Sequence, residues 1–212
     1  MIHLVTAENE HFYKDEMQQA RRLDSRRDYG NLCAGPEHDE PPAEKCHNAV
    51  HMLYIVSSKV LGYQRLLPTM RPQFRSNVIP QLWLSEPEAG GHIWEMSCHC
   101  IAPTHPSDTR STGKIAHALA LALIQWGIEH RVTQIVTAID PADILWLTQL
   151  LFQPIPLGLP LRLPDREIIA VIVSFDERTL ARIRGMRPAE EAIPANRRSF
   201  LSQQTSGWRA PA

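Results

Sequence analysis

The chain predicts an α/β protein: a mixed β-sheet flanked by helices, an α/β/α sandwich. Three observations carry that prediction. A β-rich hairpin, His51–Val56 and Val60–Leu66, and a third apolar strand, Ile93–Ile101, come first. Strand and helix patterns then alternate through Val132–Ile139 and Glu167–Phe175. With 212 residues, 43% of them hydrophobic, the chain has material for one core. Residues 1–187 therefore read as one domain, and the polar, proline-punctuated residues 188–212 as a tail.

The elements follow in order. Ile2–Val5 has the content of a short strand, and Asn9–Arg27 that of a helix rich in charge. Gly30, Gly35, Pro36, Pro41 and Pro42 break the pattern between Asp28 and Lys45, which predicts a long loop of the kind that carries function. Ser57-Ser58-Lys59 joins the hairpin strands. Gly90-Gly91 precedes the third strand, and Pro103 and Pro106 follow it. A helix over Thr112–His130 puts Ile115, Leu119, Ala122 and Trp126 on an apolar stripe and Lys114, His117, Gln125 and Glu129 on a polar one. Asp140-Pro141 predicts the N-cap and first position of another helix, since proline there lacks an N–H that would have no partner anyway. Asp176 with Thr179 opens the last helix, and Gly185 closes it.

Bulk properties exclude some function classes. A net charge of -1 and a pI near 6.8 create no field that draws nucleic acid or a membrane. No stretch approaches the roughly 20 apolar residues of a membrane span. The start Met-Ile-His-Leu-Val-Thr lacks the basic residues and apolar run of a secretory leader. The expectation is a cytoplasmic protein without nucleic-acid or membrane partners, whose Cys33, Cys46, Cys98 and Cys100 are free thiols. No metal is expected: along a strand Cys98 and Cys100 face together and His99 faces away, so three ligands do not converge.

The residues that could carry chemistry centre on Glu95. By strand alternation Glu95, Ser97 and His99 face one way, and Trp94, Met96, Cys98 and Cys100 the other. A carboxylate among apolar neighbours needs a partner, and Arg65 at the end of the hairpin is the expected one. A structural ion pair that sets register and a functional pair both fit. Arg110-Ser-Thr-Gly113-Lys114, just before the long helix, offers two cations and helix-terminal N–H groups to an anion; an ordinary polar cap fits equally. The apolar residues of Val132–Ile139 and Ile144–Phe152 read first as core, with Trp126 and Trp146. Arg178, Arg182, Arg184 and Arg187 form a basic run that suits an acidic partner or a solvated helix end.

Three segments bring a family into view: Gly62-Tyr-Gln-Arg65-Leu-Leu-Pro68-Thr69, then Pro80-Gln-Leu82, then Trp94-Glu95-Met-Ser97. Together they resemble the acyl-homoserine-lactone (autoinducer) synthases, over roughly His51 to Phe175. The resemblance implies a fold related to the N-acetyltransferases. It implies transfer of an acyl group from acyl-carrier protein or acyl-CoA to the amine of S-adenosylmethionine, then lactone closure and release of methylthioadenosine, for quorum sensing. S-adenosylmethionine is then a substrate, and no resident cofactor is implied. In that scheme Glu95 is the general base, Arg65 orients it and Ser97 serves the oxyanion. Arg22 and Glu40 would bind S-adenosylmethionine, and Arg110, Gly113 and Lys114 the phosphate of the thioester donor. Thr137 would lie by the acyl chain, and the basic run would dock a carrier protein.

The chain also departs from that family's pattern. Cys98 and His99 stand where the family has an arginine and an aromatic. The family's aspartate-x-x-aspartate pair falls on Pro42 and Lys45, and a lysine repels a sulfonium. Tyr29 is the only aromatic between Arg26 and Cys33. Two other readings therefore stay open: a catalytically silent paralogue that binds an acyl ligand or carrier protein, and an N-acyltransferase that uses a different amine.

Overall fold

The computed structural model describes residues 1–26, 48–70, 82, 84, 89–102, 109–149, 151–163 and 167–186. Eight strands and four helices lie within them: β1 (Ile2–Val5), α1 (Lys14–Arg26), β2 (Val50–Val56), β3 (Lys59–Pro68), β4 (Ile93–Ile101), α2 (Thr109–Glu129), β5 (Gln134–Ile139), α3 (Asp143–Gln149), β6 (Gln153–Pro156), β7 (Leu161–Arg162), β8 (Glu167–Ser174) and α4 (Glu177–Gly185). The sheet order is β1-β2-β3-β4-β5-β8-β6, with β7 paired to the start of β8. The β4–β5 pair is parallel and the other pairs are antiparallel, so the sheet is mixed as expected.

The hairpin forms where the alternation placed it. Val56 pairs with Lys59 across Ser57 and Ser58, whose φ angles of 47° and 62° are both left-handed. That double positive φ matches the twist of the flanking strands, as two-residue hairpin turns require.

Helix α2 packs one sheet face against Met52, Leu66, Trp94, Ile135 and Val171. Helix α4 closes over α2 through Ile183, so α2 is buried from two sides; this is why Leu121 and Leu123 are buried beyond the expected stripe. The approach is close at Gly62, where an added Cβ would sit 2.5 Å from Ile115 Cγ2. Helix α1 covers part of the opposite face, with Met17 and Ala20 on Leu53, Val60, Tyr63, Cys98 and Cys100. Leu82 and Leu157 cover the rest, over Ile93, Val136, Ile168 and Ala170.

Several boundaries differ from expectation for local reasons. The segment expected as one helix from Asn9 begins as a 3-10 turn, Glu10–Phe12, before α1. Asn9 is occupied in a turn: its Oδ1 accepts from Thr6 N at 2.8 Å and its Nδ2 donates to Leu4 O at 3.0 Å. Asp140 accepts from Ala142 N at 2.8 Å, so it caps a turn, and α3 starts at Asp143. Helix α2 begins at Thr109, ahead of the expected Thr112. Strands β6 and β7 had no counterpart among the expected elements; Gln153-Pro-Ile-Pro156 carries two prolines, which an edge strand tolerates. Asp176 and Thr179 form the expected capping box on α4, which ends at Gly185 with Met186 as C-cap. The loop expected over Asp28–Lys45 and the tail over 188–212 lie outside the described residues.

Candidate active site

A bulge in β4 organises the site. Arg65 pairs with Cys98 and Leu66 pairs with Met96, which leaves Ser97 as an extra residue on β4. The bulge resets the alternation of side chains. Ile93 and Glu95 before it share a face with Cys98 and Cys100 after it, the face that α1 partly covers. His99 turns to the α2 face, its Nδ1 3.3 Å from Gln64 Oε1. The expectation that His99 shares a face with Glu95 is therefore corrected.

On the α1 side Glu95 is 5% exposed, and Leu67 stands opposite it on β3. Arg65 is on that same face, and its Nε donates to Ser97 Oγ at 2.8 Å. A carboxylate, a guanidinium and a hydroxyl are thus grouped within one short stretch of two strands. His51 on β2 faces Arg65 in register. Its Nδ1 lies 2.9 Å from the Tyr63 hydroxyl. Burial, and then the charges of Arg65 and Arg21, push the His51 pKa down to about 4. The imidazole is consequently neutral near pH 7, and the positive charge at this point belongs to the arginines. Sequence reasoning passed over His51: from the Val56–Lys59 closure a regular ladder would set it across from Gln64, and the register shift between Tyr54 and Ile55 moves it to Arg65.

The β4–β5 ladder runs Ile93↔Gln134, Trp94↔Ile135 and Glu95↔Val136, and has no further rung among the described residues. Beyond Glu95, β4 bulges and continues with β3, while β5 continues with β8. The sheet therefore opens at Glu95. Thr137 spans the opening, its Oγ1 donating to Met96 O at 3.2 Å. It lines up with Val171, on the α2 face, so Glu95 and Thr137 flank the opening from opposite faces.

The remaining expected site residues are more scattered. Gly113 and Lys114 lie inside α2 and not ahead of it, so the Gly113 amide belongs to the helical ladder and is not one of the free terminal donors. Arg110 is in the first turn of α2, where such donors are found. Both Gly113 and Lys114 are exposed. Arg22 is exposed on α1; its neighbour Arg21 pairs with Glu10 at 3.1 Å and acts on His51. Glu40, Pro42 and Lys45 lie outside the described residues. Arg178, Arg182 and Arg184 are exposed on α4. Among the described residues no three side chains of metal-binding type cluster, and no helix is long and apolar enough to cross a membrane.

Comparisons with known proteins bear on this arrangement. The model of a family described as autoinducer synthase matches residues 12–183. The isovaleryl-homoserine lactone synthase of Bradyrhizobium diazoefficiens is 26% identical over 191 residues, covering 85% of this chain and 82% of its own. Among solved structures, a CoA-dependent acyl-homoserine lactone synthase, BjaI, with SAM and isopentyl-CoA, gives a TM-score of 0.72 at 23% identity, covering 92% of this chain and 90% of that one. An acyl-CoA N-acyltransferase from Pseudomonas aeruginosa shares the fold alone, with a TM-score of 0.51 at 12% identity over 81% of this chain and 98% of that one. The expected kinship with the N-acetyltransferase fold is borne out.

Proposed function

Because the chain belongs to the autoinducer synthase family, we propose that it acylates S-adenosylmethionine from a thioester and closes the product to an acyl-homoserine lactone. The observation that carries this reading is Glu95: a buried carboxylate at the last rung before β4 and β5 part, beside the Arg65–Ser97 hydrogen bond.

The chemistry divides between the groups already described. Glu95 takes a proton from the amine of S-adenosylmethionine, directly or through water, and the freed lone pair attacks the thioester carbon. The carbonyl oxygen becomes an oxyanion, served by the Ser97 hydroxyl and nearby N–H groups, and collapse expels the thiol. The methionyl carboxylate then attacks its own γ-carbon. The C–S bond breaks, the lactone closes and methylthioadenosine departs. Arg65, fixed by Ser97, holds negative charge near the reacting centre. S-adenosylmethionine is consumed as a substrate, so no resident cofactor takes part.

The acyl chain would pass through the opening towards Thr137, whose hydroxyl proton is engaged by the Met96 carbonyl. Arg110, with Lys114 and the exposed surface at Gly113, would meet the donor's phosphate at the start of α2. Arg22 and Glu40 are proposed for the carboxylate and cationic ends of S-adenosylmethionine. Acyl-CoA is the donor favoured here, on the likeness to relatives that use it. A carrier protein docked on Arg178, Arg182 and Arg184 is the other possible source.

The test is product analysis. Purified protein, S-adenosylmethionine and a panel of acyl-CoA thioesters are incubated, and extracts are read by mass spectrometry. A homoserine lactone is expected, with turnover falling by about 100-fold or more in Glu95→Gln, as for loss of a general base. An acylated product without the lactone would sink this reading in favour of a different amine.

A further inference from the structure

Two thiols on β4 take no part in the reaction described above. Cys98 and Cys100 are two residues apart, so they project from the same side of the strand, with Sγ atoms 3.2 Å apart. Both are buried thiols outside any disulfide, 6% and 1% exposed, among Leu53, Val60 and Tyr63 beneath α1. The Ser97 bulge brings them onto the face of Glu95, with Cys98 directly across from Arg65. Both sulfurs belong to the core beneath α1, and Cys98 also adjoins the bulge that holds the Arg65–Ser97 bond.

We propose that Cys98 and Cys100 form an oxidisable dithiol, a modification site for peroxide-class oxidants that closes to an intrastrand disulfide. The chemistry balances with hydrogen peroxide alone. Cys98, the less buried of the two thiols and the one paired in register with Arg65, attacks an oxygen of the peroxide as its thiolate. The O–O bond breaks, and sulfenic acid and water form. The Cys100 sulfur then displaces the sulfenic oxygen, which leaves as a second water with the Cys100 proton. Two thiols and one peroxide become one disulfide and two waters, and two electrons pass from sulfur to oxygen. A dithiol reductant reverses the change by exchange.

The geometry also gives the bridge a consequence for the neighbouring site. Residues two apart on a strand have Cα atoms about 6.6–6.8 Å apart. Disulfides prefer about 5.5–6 Å. Closing the bridge therefore shortens β4 next to the bulge, the part of the strand least held by the ladder, and draws Ser97 away from Arg65. This consequence, unlike the dithiol itself, rests on the synthase reading: lactone formation falls in the bridged form and returns on reduction.

The experiment treats the full-length protein with graded hydrogen peroxide and follows both mass and lactone output. The tryptic peptide Ser76–Arg110 contains both thiols and neither Cys33 nor Cys46. It is expected to lose about 2 Da, the mass of two hydrogens, and to regain it with dithiothreitol. Cys100→Ala should abolish that loss while keeping lactone output under reducing conditions. In the bridged protein the lactone rate should drop on the order of 100-fold, the scale of a misplacement of about 1 Å. Direct passage of both thiols to sulfinic or sulfonic acid, or bridging to another peptide, overturns the dithiol, and the wild-type masses decide this even if Cys100→Ala fails to fold. A bridge that forms with unchanged lactone output overturns the control of the site. Absence of lactone before any oxidation strikes the synthase reading, while the masses still judge the dithiol.

Discussion

Ser97 reaches Arg65 because β4 carries one residue more than β3 pairs with at that point. Strict alternation grouped Glu95 and Ser97 correctly but took His99 with them, since nothing in Met-Ser-Cys announces a bulge; no glycine or proline marks it. Ser97→Ala removes the hydrogen bond that this hydroxyl makes to the guanidinium. A loss of about tenfold in kcat/KM is expected, the size of one charge-assisted hydrogen bond, with the thermal midpoint nearly unchanged. Steady-state kinetics beside a melting curve checks both halves. His51 supplies a pH dependence of known sign. Its folded pKa, about 4, lies below the usual 6.5, so between these values the unfolded chain binds more protons. The associated stability is complete above pH 6.5 and is lost as pH falls towards 4, by up to about 3 kcal/mol. Urea midpoints across that window should fall more steeply for the wild type than for His51→Gln.

Helix α2 meets β3 closely at Gly62, and a methyl group has no room there. Gly62→Ala should destabilise by about 1–3 kcal/mol through overpacking. Gly113→Ala on the same helix, whose Cβ would meet nothing within 4 Å, should be neutral or stabilise by up to about 1 kcal/mol through helix propensity. Denaturant midpoints at constant m-value separate the two. At this scale the sequence was legible wherever periodicity was long. The hairpin, β4, β5, β8, α2 and α4 were all read close to their observed spans, because side-chain alternation and caps are local signals. Strands β6 and β7 escaped because each is short and exists through pairing with β8. The helix expected at Asp140 starts late because Asp140 bonds the nearest amide and stabilises a turn first.

The whole sheet is laid out around strands covered on both sides. Strands β2, β3 and β8 are paired on both edges over most of their length, β4 meets β5 only over Ile93–Glu95, and β1 and β6 end the ladder. Amide hydrogen exchange should therefore be slowest in β2, β3 and β8 and fastest among the strands in β1 and β6, which residue-resolved mass spectrometry can measure. Slow exchange in β6 matching that of β8 would contradict this order. Read alone, the sequence determined the α/β class, the major elements, and the grouping of Arg65, Glu95 and Ser97 as the residues with chemistry to do. These follow from residue type and short-range period, which need no partner strand. Tertiary structure decided which face each of those residues uses, that the sheet opens at Glu95, that His51 is neutral, and that two thiols touch beside the site. Each of these depends on register between segments far apart in the chain, and a shift of one residue moves every side chain to the other face.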